Sequence, residues 1–200
     1  MNNFPFVIEK IHDYVFDLMS QKLDSYHKFH NWKHTQAVVK ESDRLARLCK
    51  LGDEDLSLLK IAAYFHDVGY VSCYTGHEEA SADTANQFLS QFDFSKREID
   101  MIRSLILSTK PTKNCTTLME RVLHDADLSH IGNLDMEKQS NKLREEWEYC
   151  LKKKYTDKEW LFLQIDFLSS VRFCTDPAKR LYDETRKDHV EKLRKQLDLL

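Results

Sequence analysis

The chain of 200 residues has few of the residues that most often interrupt regular structure, with four glycines and three prolines. The long stretches between these breaks are rich in Leu, Lys, Glu, Ala, Gln and Arg, which favour helices. An all-β fold is therefore disfavoured, and the composition favours an all-α protein.

The sequence also has no block of charge of one sign. Its 30 basic and 33 acidic residues are interspersed and leave a net charge of −3. This distribution offers no electrostatic footprint for nucleic acid. No stretch approaches the roughly 18 apolar residues that span a bilayer, and the first residues do not resemble a secretory signal. We therefore expect neither nucleic acid nor membrane as a partner.

Paired cysteines are missing as well. The five cysteines are widely spaced and never form a C-x-x-C pair, which argues against a disulfide framework or a structural zinc knuckle. A reducing compartment fits best, so we expect a cytoplasmic protein.

Apolar residues recur at helical spacing along most of the chain. The pattern predicts about eight helices in one domain spanning residues 1–200, with Ser95 and Thr116 or Thr117 as helix caps and Pro111 as a helix end. The run from Glu54 to Val68 is apolar on more than one face, which predicts a central buried helix ended by Gly69.

A His-Asp pair, His66 and Asp67, stands at the end of this central helix. Both side chains are good metal ligands and are costly to bury without partners. The pair alone is weak evidence, because a helix C-terminus that meets solvent explains it equally well. Three further segments change this: FHNWKH at 29–34, GHEE at 76–79 and HDADLS at 124–129.

In this order the segments resemble the HD superfamily of metal-dependent phosphohydrolases over about residues 25–132. The resemblance implies an all-α, single-domain helical bundle of the HD type, with the C-terminal helices at 136–200 packed on that core. It also implies a divalent metal ion held by His34, His66, Asp67 and Asp127. Carboxylates suit Mg²⁺ and Mn²⁺, while imidazoles favour the later transition-metal ions, so the ligand set does not distinguish Mg, Mn, Fe, Co, Ni and Zn.

Two aspartates in HDADLS compete for the fourth position. The ADLS tetrapeptide resembles the corresponding ligand segment of class I cyclic-nucleotide phosphodiesterases, which favours Asp127. Residues two apart on a helix point about 200° apart, so Asp125 is predicted to support the site from behind or to lie at the surface. In the same phosphodiesterases a similar H-N-x-x-H uses its first histidine as proton donor, which implies that role for His30. The predicted catalytic residues are His30 and Asp67, and Asp67 could also bridge a second ion.

Other residues are candidates for a second metal or for substrate phosphate: His77, Glu78 and Lys110. The alternative for HEEAS is an ordinary helix start, with acidic residues facing the helix dipole. The segment at 102–110 contains no histidine, which weakens the two-metal hypothesis. Tyr70 and Trp32 are candidates for stacking on a base, although core packing explains most aromatic residues here.

The resemblance implies hydrolysis of a phosphate ester by attack of metal-bound water, with a nucleotide or cyclic nucleotide as substrate class. The expected partner is a small phosphorylated molecule, and a homodimer is left open. The alternative is a nucleotide-binding sensor or signalling module that uses the same scaffold without turnover.

Overall fold

The computed structural model describes residues 4–111 and 113–200. Within them lie nine α-helices, two 3₁₀ turns and no β-strand, which confirms the all-α prediction with one helix more than expected. The helices are α1 (Phe4–Lys22), α2 (Trp32–Leu48), α3 (Asp53–Phe65), α4 (His77–Leu89), α5 (Lys96–Leu107), α6 (Leu118–Asp127), α7 (Met136–Cys150), α8 (Asp157–Ser170) and α9 (Asp176–Leu197).

Local capping chemistry begins several of these helices. Ser95, Thr117 and Thr156 each accept a hydrogen bond from the backbone of the glutamate three residues later, whose carboxylate bonds back to the cap. Such reciprocal boxes satisfy helix N–H groups that have no intrahelical partner. The predicted caps at Ser95 and Thr117 are confirmed, while α5 ends at Leu107, earlier than the prediction from Pro111.

The helix α3 is the centre of the domain, as its sequence predicts. Seven of its 13 residues are buried, and it packs against α1, α2, α4, α5 and α6. It ends at Phe65, before the predicted end at Val68, and residues Val68–Val71 form a separate 3₁₀ turn. His66 and Asp67 therefore lie at the break between the two elements.

Gly69 has a different role from the predicted helix end. It lies inside the 3₁₀ turn, and a Cβ atom added there would be 2.0 Å from the backbone oxygen of His77. Its N–H donates to Ser81 Oγ at 2.8 Å. The absence of a side chain thus lets the start of α4 pack against the turn, next to Asp67.

The C-terminal helices pack onto the rest of the domain. The 3₁₀ turn at Leu128–Gly132 contacts both α7 and α9, and α9 also packs on α2 and α8. The described chain therefore forms a single domain, while the boundaries of the proposed core at about 25–132 stay a prediction. Among the described helices, none combines the length and apolar character needed to cross a membrane.

Candidate metal centre

The packing of α2 against both α3 and α6 brings together four of the predicted site residues. His34 lies in the first turn of α2, His66 and Asp67 follow α3, and Asp127 ends α6. The His34 Nε2 atom lies 3.0 Å from Asp127 Oδ1 and 3.4 Å from His66 Nε2. One ligand atom each from His34, His66 and Asp127 falls within 4.8 Å of the others.

Asp67 completes this group from the side of α3. Its Oδ2 atom lies 3.1 Å from His66 Nε2 and 3.4 Å from His34 Nε2. The His66 ring is fully buried and its Nδ1 lies 2.8 Å from the Ala63 carbonyl oxygen. Because Nδ1–H donates to that carbonyl, Nε2 is the nitrogen that faces the cluster.

Negative charge dominates the cluster. Burial alone would lower the pKa of the His66 imidazole, but the carboxylates of Asp67 and Asp127 raise it to about 9. Burial alone would raise the pKa of Asp127, but the hydrogen bond from His34 and the charge of His66 lower it to about 2. The pKa of Asp67 is also lowered by the histidines, against the effect of burial. The site therefore favours added positive charge.

The residues present fit a divalent cation. Asp67 Oδ2 is buried and accepts no hydrogen bond from the described residues, a state that normally costs free energy. Two imidazole nitrogens face the same point as this oxygen and Asp127 Oδ1. A proton on His66 places one positive charge among these nitrogen and oxygen atoms. A divalent ion would place two positive charges there and would be coordinated by their lone pairs.

The HD domain matches residues 31–132, which is just over half of the chain. The chain belongs to the HD domain family. This confirms the resemblance of its motifs, and membership implies a metal-dependent phosphohydrolase, with His34, His66 and Asp127 as candidate metal site. No curated protein and no solved structure matched the chain.

His30 lies beside the group formed by His34, His66, Asp67 and Asp127, here called the HD cluster, and is held by a residue from the C-terminal part of the chain. The His30 Nδ1 atom hydrogen-bonds to Glu146 of α7, and the centre of its ring lies 5.9 Å from that of His34. Burial would lower the pKa of His30, but the hydrogen bond and charge of Glu146 raise it. Since Nδ1 is engaged, Nε2 is the nitrogen left to exchange a proton with a substrate.

The sequence did not point to Glu146. Its side chain is completely buried and accepts hydrogen bonds from Phe29 N at 2.8 Å, His30 N at 3.1 Å and Tyr74 Oη at 2.9 Å. It stands in the acidic segment REEWE of α7, beside the exposed Glu145. The local sequence distinguishes the two glutamates only by their positions around the helix, because adjacent residues point in different directions and only one of the two can face the HD core.

The structure brings His77 and Glu78 to the edge of the cluster. His77 Nε2 lies 3.6 Å from Asp67 Oδ1, and its Nδ1 lies 3.6 Å from Glu78 Oε2. Burial lowers the pKa of His77, which keeps a lone pair available. Lys110 is not brought to the cluster but pairs with Glu79 at a partly exposed position. Its contact with substrate phosphate stays a prediction.

Asp125 is a buried structural residue and not a surface group. Its carboxylate accepts 2.7 Å hydrogen bonds from the backbone N–H groups of Cys174 and Thr175, and so fixes the start of α9. This agrees with the choice of Asp127 over Asp125 for the cluster.

The two aromatic candidates for base stacking both contact other aromatic rings. Tyr70 lies between the rings of His30 and His77, with centroid distances of 4.4 and 3.8 Å. Trp32 packs against His12 and Phe16 of α1. Tyr70 is buried, so its ring is enclosed by neighbouring side chains, whereas stacking of a base on the partly buried Trp32 stays a prediction.

Proposed function

We propose that the protein is a metal-dependent phosphohydrolase that cleaves a phosphate ester, with a nucleotide or cyclic nucleotide as the substrate class. The observation that carries this proposal is the convergence of His34, His66, Asp67 and Asp127, in which the buried Asp67 Oδ2 atom accepts no well-aligned hydrogen bond from any described residue. In an HD domain, such a set supports a catalytic centre better than a structural one. The residues come from three helices at a partly open position and not from a closed knuckle.

These four residues would hold the ion. When bound, a divalent ion supplies Lewis acidity, which polarises a phosphoryl oxygen and makes water more acidic. Both hard and borderline ions suit two imidazoles with two carboxylates, so Mg, Mn, Fe, Co, Ni and Zn all remain candidates.

His30 would act as the proton donor to the leaving oxygen. Glu146 accepts from His30 Nδ1 and raises the pKa of the ring, so the imidazolium form persists to higher pH. The second proton, on Nε2, is then the one available for transfer. The stacked Tyr70 limits rotation of the ring, which keeps the acid in one orientation.

A cavity beside the cluster offers space for a substrate. Its volume is about 230 Å³, and its wall includes His34 and Asp127. Lys33 and Lys142 also line it, and their ammonium groups would complement the negative charge of a phosphorylated ligand. The identity of the substrate, the number of ions, a homodimer and the cytoplasmic location stay predictions.

The test is metal-dependent turnover that requires the cluster. Chelator-treated protein is supplied with each of the six ions and assayed against 4-nitrophenyl phosphate, bis(4-nitrophenyl) phosphate, nucleoside monophosphates and cyclic nucleotides. We expect at least one ion to restore turnover, and His66→Ala or Asp67→Ala to abolish it. His12→Ala is the matched control, because His12 lies on α1 with a side chain 43% exposed.

Turnover that survives His66→Ala would contradict the proposal. Nucleotide binding without hydrolysis under any of the six ions would instead support the sensor alternative.

A further inference from the structure

A second group of ligand-type side chains lies where the last turns of α6 meet the segment that leads into α9. One ligand atom each from His124, Asp125 and Cys174 falls within 4.8 Å of the others. His124 and Asp125 belong to the last turns of α6, and Cys174 lies in the segment between α8 and α9. Residues two apart on a helix point about 200° apart, so the Asp125 carboxylate points away from Asp127, and the group shares no residue with the cluster of His34, His66 and Asp127.

Cys115 adds a second thiol to the group. It lies in the segment before α6, and its thiol interacts with that of Cys174. This contact raises the pKa of Cys115 and lowers that of Cys174, as expected when one sulfur donates to the other. All five cysteines are free thiols, so both sulfurs are open to ligation.

Asp125 and His124 have ligand atoms to spare. Asp125 Oδ1 accepts one hydrogen bond, from Cys174 N at 2.7 Å, and a carboxylate oxygen has a second lone pair. Among the described residues, none hydrogen-bonds to the His124 ring. The bonds from Asp125 to the start of α9 also hold Cys174 close to α6. The ligand atoms are therefore placed close together before any metal ion binds.

We propose that Cys115, His124, Asp125 and Cys174 form a second metal site that binds a thiophilic divalent ion, with Zn²⁺ as the best match. Two sulfurs, one imidazole nitrogen and one carboxylate oxygen make a four-ligand set of the kind that Zn²⁺ accepts. Thiolates select against Mg²⁺ and Ca²⁺, whereas the HD cluster contains no sulfur. The two sites therefore differ in the ions they prefer.

The position of this site gives it a structural role. Its ligands come from the segment before α6, from α6 itself and from the segment that leads into α9. A bound ion would join these three parts of the chain and add to folding stability. Asp127, which belongs to the HD cluster, ends the same helix α6. The proposal does not depend on the phosphohydrolase activity.

Cobalt(II) provides a probe that reports on sulfur ligation alone. Thiolate–Co²⁺ complexes absorb in the near ultraviolet through charge transfer, whereas Co²⁺ bound by imidazole and carboxylate lacks that band. Reduced, chelator-treated full-length protein with all five thiols reactive is titrated with Co²⁺. We expect a saturable charge-transfer band that excess Zn²⁺ removes.

Variants assign the band to the four residues. Cys174→Ser should abolish it, and Cys115→Ser should weaken it because one of two thiolates is lost. His124→Gln should keep the band but weaken Co²⁺ binding by at least about tenfold, since even indirect support of a ligand is worth that much. Cys73→Ser is the matched control and should keep the band, as should His66→Ala, which alters only the HD cluster.

A second measurement needs no variant. Zn²⁺ should protect Cys115 and Cys174 of the wild-type protein from alkylation, while Cys73 stays reactive as an internal reference in peptide mass spectrometry. The absence of a charge-transfer band in the fully reduced wild-type protein would overturn the proposal. A band that survives Cys174→Ser would overturn it as well, and so would alkylation of both Cys115 and Cys174 at an unchanged rate in the presence of Zn²⁺.

Discussion

Replacement of Glu146 by Gln tests the link between the C-terminal helices and His30, the proposed proton donor. Glu146 Oε2 accepts the backbone N–H groups of Phe29 and His30, while Oε1 accepts His30 Nδ1–H and the Tyr74 hydroxyl. A glutamine has the same shape but only one oxygen. In either orientation its NH₂ group faces two of these four donors.

The structural cost of Glu146→Gln follows from this count. Hydrogen bonds to a charged group are worth about 1.5–3 kcal/mol each. The Tyr74 hydroxyl can turn and accept from the new amide, so part of the loss is recovered. We expect a decrease in the free energy of unfolding of about 2–4 kcal/mol. For a chain of this size that corresponds to a decrease in Tm of roughly 4–16 °C.

The kinetic cost depends on the leaving group. A positioned general acid contributes about 10²–10⁴-fold, and without Glu146 the His30 ring loses both its orientation and the main cause of its raised pKa. We expect kcat on an alkyl phosphoester to fall by about 10–100-fold, because a poor leaving group needs the proton. On a 4-nitrophenyl ester the decrease should be below about threefold, since that leaving group needs little protonation.

The pH profile gives a second, independent measurement. The acid form of His30 is required, so kcat should decline as pH rises through its pKa. Because Glu146 raises that pKa, Glu146→Gln should move this decline to lower pH. The control is Glu145→Gln, at the exposed neighbouring position on α7. An unchanged pH profile, together with equal losses on both kinds of ester, would refute the reasoning.

Three further outcomes follow from other contacts. Gly69→Ala should lower the free energy of unfolding in urea by about 2 kcal/mol or more, because the new Cβ would lie 2.0 Å from the His77 backbone oxygen. Gly52→Ala is the control and should be nearly neutral, since a Cβ at Gly52 has nothing within 4 Å. Burial would raise the pKa of Glu120, but its hydrogen bonds lower it to about 2. The ionised Glu120 therefore makes its full contribution to folding stability above the unfolded-state pKa of about 4.3, and this contribution is lost as pH falls toward 2. Glu120→Gln should flatten stability over that range, and an unchanged pH dependence would contradict this. Lys142→Ala should raise KM severalfold at constant kcat if the cavity beside the cluster binds the substrate, and a change in kcat alone would argue against that.

Local sequence determined the helices and the motif residues of the site. Helical periodicity and the caps at Ser95 and Thr117 act over three or four residues, so they can be read without knowledge of the fold. The resemblance to the family came from the order of the motif segments that contain His34, His66-Asp67 and Asp127. Each of these residues was also placed correctly at or near the end of a helix.

Tertiary structure decided which side chains surround those motifs. Glu146 reaches His30 across 116 residues, and Cys115 meets Cys174 although the spacing of the cysteines argued against a zinc knuckle. Tyr70 was a candidate for base stacking, but the fold buries it and stacks it on the rings of His30 and His77. The physical reason is that a helix records in its sequence which face is buried, but not which distant side chain that face will meet. The helices and the candidate metal ligands of this protein were therefore predictable from its sequence, whereas the partner of its proposed acid and its thiol pair depended on the packing of the helices.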